Sequence, residues 1–245
     1  MPFETVFIVA VFLLAGLTKG VIGMGLPTIA MGLLVLVMPP VEAATILIVP
    51  SLVTNLWQLL AGPDVRALLR RLWPMMVTVT VGTFMGIRLL VDDGSGAAGV
   101  ALGLALAAYG LLGLFGRTYH VQERHEAWAT PLVGFATGII TGAAGVFVIP
   151  AVPYLQSLGL AKDRLIQALG LSFTVSTLAL GFAIYGHGEV RPSFASTSVF
   201  ALVASLIGMH AGQLVRDRLE PATFRRVFFA SLLLLGLHAS YVALA

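Results

Sequence analysis

The chain has 245 residues, of which 58% are hydrophobic and 10% charged, with a mean hydropathy of +0.99. So few charges cannot cover the surface of a water-soluble domain, which leaves lipid as the solvent of most of this surface. With a small net charge of +3 spread over short loops, nucleic acid is not an expected partner, and the lack of cysteine excludes disulfides, thiolate metal sites and sulfur transfer through a persulfide.

Crossing about 30 Å of hydrocarbon takes about 20 apolar residues. Apolar segments at 5–38, 42–61, 72–91, 98–115, 128–159, 164–186, 193–215 and 222–244 predict an all-α polytopic membrane protein with eight hydrophobic segments. Runs such as Ile46–Val49 and Leu232–Leu235 are continuously apolar, unlike the alternating strands of a barrel. The N-terminal Met-Pro-Phe-Glu-Thr has an acid where a cleavable signal peptide has a basic region, so the first segment is expected to remain in the mature protein.

The first segment is too long for one crossing. It contains G-L-T-K-G-V-I-G-M-G at Gly16–Gly25, followed by Pro27, and so reads as two half-helices. Lys19 lies beside this break, too deep to snorkel, and an intramembrane charge costs about 2.5 to 3.5 kcal/mol or more, so a functional role is the default reading. In the second segment Ser51, Thr54, Asn55 and Gln58 recur at i, i+3, i+4 and i+7 and form one polar helix face after Pro50. Gly82/Gly86 in the third and Gly99/Gly103 in the fourth predict close helix packing.

The fifth segment repeats the features of the first: G-F-A-T-G-I-I-T-G-A-A-G at Gly134–Gly145, with Pro150 beyond. Gly16/Gly20 align with Gly134/Gly138, and Gly82/Gly86 with Gly208/Gly212 of the seventh segment. This predicts two transmembrane repeats, 1–116 and 128–245, joined by a cytoplasmic linker at 117–127. The sixth segment adds Gln167, Ser172, Thr174, Ser176 and Thr177, and the seventh His210, for which packing against a carbonyl is the favoured reading over proton transfer.

Charge placement gives an independent test of the breaks. If the first and fifth segments each turn back, Arg66, Arg70, Arg71, Arg117, Arg124, Lys162, Arg164, Arg216, Arg218, Arg225 and Arg226 all fall on one side, with Arg88 and Arg191 opposite. That bias places the eleven in the cytoplasm, both termini outside, and the two halves in inverted orientation. Were every segment a single crossing, the basic residues would divide almost evenly.

A helix broken in a bilayer must line a protein-walled or wetted cavity. Helix N-termini at Pro27 and Pro150 would offer N–H donors and partial positive charge, which suits an anion. The expected binding residues are Lys19, Gly20, Gly23 and Gly25 at the first break, Ser51, Thr54, Asn55 and Gln58, then Thr141, Gly142 and Gly145 at the second break, and Ser172 and Ser176.

At these residues the chain resembles the TauE/SafE family of sulfite exporters and organosulfur-anion permeases. The likeness is carried by G-L-T-K-G-V-I-G-M-G-L-P at 16–27, V-P-S-L-V-T-N-L-W-Q at 49–58, G-x-x-x-G at 82–86 and G-I-I-T-G-A-A-G-V-F-V-I-P at 138–150, and extends over nearly the whole chain. It implies transport of sulfite, sulfonates or related small organic anions across a bacterial inner membrane. The leading expectation is a secondary carrier working by alternating access. An anion channel of the same fold and a permease for a non-sulfur carboxylate stay open. With no H-E-x-x-H, nucleophile elbow, P-loop or cluster of intramembrane acids, an enzyme is not expected. No cofactor or metal is expected; the partners are a small anionic substrate and the lipid bilayer, with a homodimer left open.

Overall fold

The computed structural model describes residues 3–92, 96–116, 120–189, 193–218 and 220–244. Arg117 and Arg191, used above as topology residues, lie outside these. The described chain forms α1 (Phe3–Ile22), α2 (Leu26–Leu34), α3 (Pro40–Leu60), α4 (Val65–Val91), α5 (Ala97–Phe115), α6 (Glu123–Ala144), α7 (Ala151–Ser157), α8 (Lys162–Gly186), α9 (Ser193–Val215) and α10 (Pro221–Leu244). A short 3-10 turn, Arg216–Arg218, follows α9. Among the described residues, eight helices are long and apolar enough to cross a membrane, all but α2 and α7.

Both long segments are interrupted, though not into halves. In each, a full-length helix of 20 or 22 residues is followed by a short one of 9 or 7, the latter spanning only about 10 to 14 Å. Gly16, Gly20, Gly134, Gly138 and Gly142 stay helical because each is pressed against a neighbouring helix backbone. The chain leaves the helix only where glycine takes a left-handed conformation. Gly23 (φ 77) donates its N–H to Lys19 O at 2.8 Å, and Gly145 (φ 68) donates to Thr141 O at 2.9 Å. Both close the preceding helix as C-terminal glycine caps. Gly25 (φ 105) then starts α2, with Pro27 in the first turn where no N–H is needed, and Pro150 stands at the N-cap of α7.

Two helix starts fall earlier than apolarity predicts. α4 begins at Val65, capped by the Asp64 side chain, which accepts from Ala67 N–H at 3.0 Å. Its first two turns carry Arg66, Arg70 and Arg71 on the outside, while Leu68 and Leu72 are buried. α6 begins at Glu123 within the stretch expected as linker, with Glu123 and Glu126 complementing the positive helix N-terminus. Arg71 and Glu126 join these two helix starts in a 2.5 Å ion pair.

Glycine contacts fix the direction of the main helix pairs. Gly16 meets Ser205 and Gly20 meets Met209, so α1 and α9 run parallel; Gly82 meets Phe135 and Gly86 meets Ile139, so α4 and α6 do too. α3 and α8 are antiparallel, with Gly170 at Leu59 and Gly181 at Ile48, as are α5 and α10, with Gly103 at Ser240 and Gly110 at Phe229. The expected close packing at Gly82/Gly86, Gly208/Gly212 and Gly99/Gly103 is therefore present. One register differs from the sequence alignment. Leu13 and Leu17 flank Gly208 as Phe135 and Ile139 flank Gly82, which makes Gly138 and Gly142, one turn beyond Gly134 and Gly138, the counterparts of Gly16 and Gly20. α3 and α8 form the centre of the bundle, and α9 and α10 its periphery.

Candidate anion site

Lys19 sits in the last turn of α1 and is 4% exposed. Its Nζ donates to Thr54 Oγ1 at 3.1 Å and to Asn55 Oδ1, both on α3. Asn55 Nδ2 in turn donates to Thr177 Oγ1 on α8 at 3.3 Å, so one hydrogen-bonded chain links α1, α3 and α8 at the centre of the bundle. Pro50 positions this cluster. It deprives Ile46 O of its helical partner, and the Thr54 hydroxyl donates to Pro50 O at 2.8 Å. Thr177 likewise donates to Phe173 O at 2.7 Å.

Gln58, one turn beyond Thr54, anchors the first break. Its Nε2 donates to Gly23 O at 3.1 Å and Ile166 O at 2.9 Å, tying the end of α1 to the start of α8. Gln167 makes the reciprocal tie, donating to Leu59 O at 2.9 Å and accepting from Asp64 N–H at 3.0 Å. These two amides clamp one end of the α3–α8 crossing. Gln58 is legible as part of a polar helix face; its bonding to the backbone carbonyls of Gly23 and Ile166 is not.

A cavity of about 600 Å³ opens beside this cluster, far larger than a small oxyanion. Lys19, Gly20, Gly23, Thr54 and Gln58, among the residues expected to bind the anion, line it. Much of the remaining wall is not foreshadowed by the sequence, including Trp57 and Gly62 at the end of α3, Met209 and Gln213 on α9, and the charged residues Lys162, Asp163, Arg216 and Arg225. Most come from helix ends that share one face of the bundle. Lys162, Arg216 and Arg225 are exposed at the mouth, whereas Lys19 is buried at the base. Four cations against one acid make the cavity electropositive, and its low-dielectric walls focus that potential.

The other expected residues lie elsewhere. Asn55 reaches the site through Lys19 and is not on the cavity wall. Gly25 is backed by the Phe228 ring and serves as the α2 cap. Ser51, Ser172 and Ser176 are fully buried, with hydroxyls lacking partners among the described residues. Thr141, Gly142 and Gly145 belong to the second break. Thr141 bonds back to Thr137 O at 2.7 Å, Gly142 presses on Thr83, and Gly145 packs against Met31. Thr141 therefore holds, relative to Gly145, the place that Lys19 holds relative to Gly23, and only one break carries a cation. The expectation of two exposed helix N-termini facing one cavity is not met: α7 is a single short turn pair, and neither Leu26 nor Ala151 lines the cavity. His210 is exposed on the outer face of α9.

A broken eight-span bundle around a buried lysine agrees with a comparison against known families, in which the profile described as Sulfite exporter TauE/SafE matches residues 8–239. The chain belongs to the TauE/SafE family. No curated protein and no solved structure matches it. Membership in the TauE/SafE family makes the chain a multi-pass membrane transporter, and the eight apolar helices agree with that.

Proposed function

We propose that this TauE/SafE protein is a secondary carrier for a small sulfur-containing oxyanion, sulfite or a sulfonate, which binds at Lys19 and crosses by alternating access. The observation that carries this reading is a buried lysine, held only by neutral oxygens, at the base of a cation-rich cavity. A desolvated ammonium without a carboxylate is a strong, unfilled anion site. The glycine at Gly23 brings the backbone to the cavity edge, and the Gln58 tie holds that edge in place.

Alternating access is supported by the helix pairing. α1 with α9 and α4 with α6 run parallel, and α3 with α8 and α5 with α10 antiparallel; exchanging the two halves of the chain leaves this pattern unchanged. That is the relation expected of inverted repeats about an axis in the membrane plane. The same directions support a cavity mouth on the face that collects the basic loops, taken as cytoplasmic by the positive-inside bias, with both termini periplasmic. At the second break Val146, Phe147 and Val148 are fully buried, so the opposite face is sealed there while this one is open. A cavity open to one side favours a carrier over a channel.

Counterflow in proteoliposomes tests the reading. Internal sulfonate is expected to accelerate entry of labelled sulfonate or sulfite, with carboxylates of similar size entering more slowly, and Asn55→Ala is expected to reduce the rate at least about tenfold by loosening Lys19. Flux that internal anion does not stimulate would argue for a channel, and an Asn55→Ala rate equal to wild type would remove Asn55 from the site.

A further inference from the structure

We propose that a second cavity, beside the anion cavity and on the same face of the bundle, holds the headgroup of one anionic phospholipid from the adjoining leaflet. It measures about 630 Å³ and lies between the end of α5, the end of α7 and the start of α10. Gly113 lets α10 close on α5 here, since a methyl at that position would stand 2.1 Å from the Phe229 ring. Phe229 in turn meets the Tyr109 ring edge to face at 5.2 Å, and the two rings form the inner wall.

The polar groups of the lining divide into committed and free. Tyr109 Oη donates to Met24 Sδ at 3.1 Å, and Ser157 Oγ donates to Tyr154 O at 2.6 Å. The Gln156 amide and the Arg225 guanidinium have no such partner among the described residues, and Arg225 is exposed. A guanidinium presents a planar fork of N–H groups that matches phosphate oxygens, and the amide adds further donors. Arg225 is the only charged residue among the described residues of this lining, so nothing here competes with an anion for it.

The rim decides between a lipid and a soluble anion. It is formed by Leu112 and Phe115, 48% and 77% exposed. The 19 residues of α5 span about 28 Å, close to the thickness of the hydrocarbon, so Phe115 at its end stands at the membrane boundary. Arg225 lies near the same level, because α5 and α10 are antiparallel with Gly110 at Phe229. A soluble anion gains nothing from two apolar side chains turned to lipid. A phospholipid places its phosphate on Arg225 and lays its acyl chains over Leu112 and Phe115. On the face read above as cytoplasmic, basic pockets between helices meet a leaflet that carries anionic lipid. The site does not depend on which anion the protein transports.

Native mass spectrometry of the full-length protein in detergent, with dioleoyl phosphatidylglycerol or dioleoyl phosphatidylcholine added, counts the lipids retained. One phosphatidylglycerol is expected to be held about fivefold or more tightly than phosphatidylcholine, the gain from one well-placed cation. Glycerol 1-phosphate, the headgroup fragment without chains, is expected not to displace it. Arg225→Gln is expected to remove the preference, whereas Arg226→Gln, which removes the neighbouring charge outside the cavity, is expected to keep it. Equal retention of the two lipids overturns the proposal. Loss of the preference in Arg226→Gln to the same extent also overturns it, as general attraction to a basic surface, and so does displacement by glycerol 1-phosphate, which would make this a site for a soluble anion. Should Arg225→Gln not fold, wild-type protein is photolabelled with phosphatidylglycerol carrying a diazirine at the headgroup end of its acyl chain. Adducts are then expected on Leu112 and Phe115, and equal labelling of Leu69 and Trp73, exposed near the start of α4, overturns the site.

Discussion

Lys19→Met is expected to abolish anion binding while leaving the fold about as stable as before. Methionine matches the length and unbranched shape of lysine without its charge. Removing an intramembrane charge gains about 2.5 to 3.5 kcal/mol on an insertion scale. Against this, Thr54 Oγ1 and Asn55 Oδ1 lose their donor, at about 1 to 3 kcal/mol for each buried acceptor left unmatched. The two effects oppose each other and are similar in size, so the unfolding midpoint in detergent should move little. Binding has no such compensation. The cavity would lose its only buried cation among the described residues, and leaving an ion without its partner in a desolvated site costs about 3 to 5 kcal/mol, at least about 100-fold in affinity. Thermal unfolding and equilibrium binding of a sulfonate, measured on the same preparation, check both halves. Retained binding would show that Lys19 is not the anion's partner; loss of the fold would show that it is a structural group.

Gly208→Ala and Gly82→Ala should each destabilise the protein by about 1 to 3 kcal/mol or more, because overpacking at these positions cannot be relieved by a side chain. A methyl at Gly208 would stand 2.1 Å from Leu13 O, and one at Gly82 would stand 2.4 Å from Phe135 O. Both obstacles are backbone carbonyls on a parallel helix, so the helices themselves must separate. In lipid, where no hydrophobic effect draws helices together, close packing is much of what holds them, and separation forfeits it. Gly181→Ala is the internal comparison: its methyl meets only the Ile48 side chain at 3.4 Å, an ordinary contact, and is expected to be tolerated. Unfolding midpoints and folded yield of the three variants test this. Equal midpoints for Gly208→Ala and Gly181→Ala would contradict the packing account.

How much of this was legible in the sequence depends on the kind of signal. The breaks after α1 and α6 were legible because glycine and proline together have no comfortable place in a continuous helix. Their exact form was not. Glycines at four-residue spacing, Gly134, Gly138 and Gly142, align with Gly16 and Gly20 equally well in two registers, and only the opposing helix chooses between them. The starts of α4 and α6 were hidden because arginines and glutamates lower the apolarity of a turn without weakening its helix. Lys19 was legible from the cost of its position, and Thr54 and Asn55 from their shared helix face. The mouth of the cavity was not, because Lys162, Arg216 and Arg225 lie far apart in sequence and read there as ordinary basic loops. Similarity between the two breaks suggested a similar role for Thr141, Gly142 and Gly145. The structure gives those residues to helix packing, with a threonine where the first break has its lysine.

The chain has no cysteine, so one introduced at Met209, on the cavity wall beside Gly20, would be its sole thiol. Saturating methanesulfonate, which unlike sulfite does not consume thiol reagents, is expected to slow modification of Met209→Cys by a membrane-impermeant reagent, and adding Lys19→Met is expected to remove this protection. A modification rate unchanged by the anion, in protein that retains Lys19, would contradict the placement of the anion in this cavity.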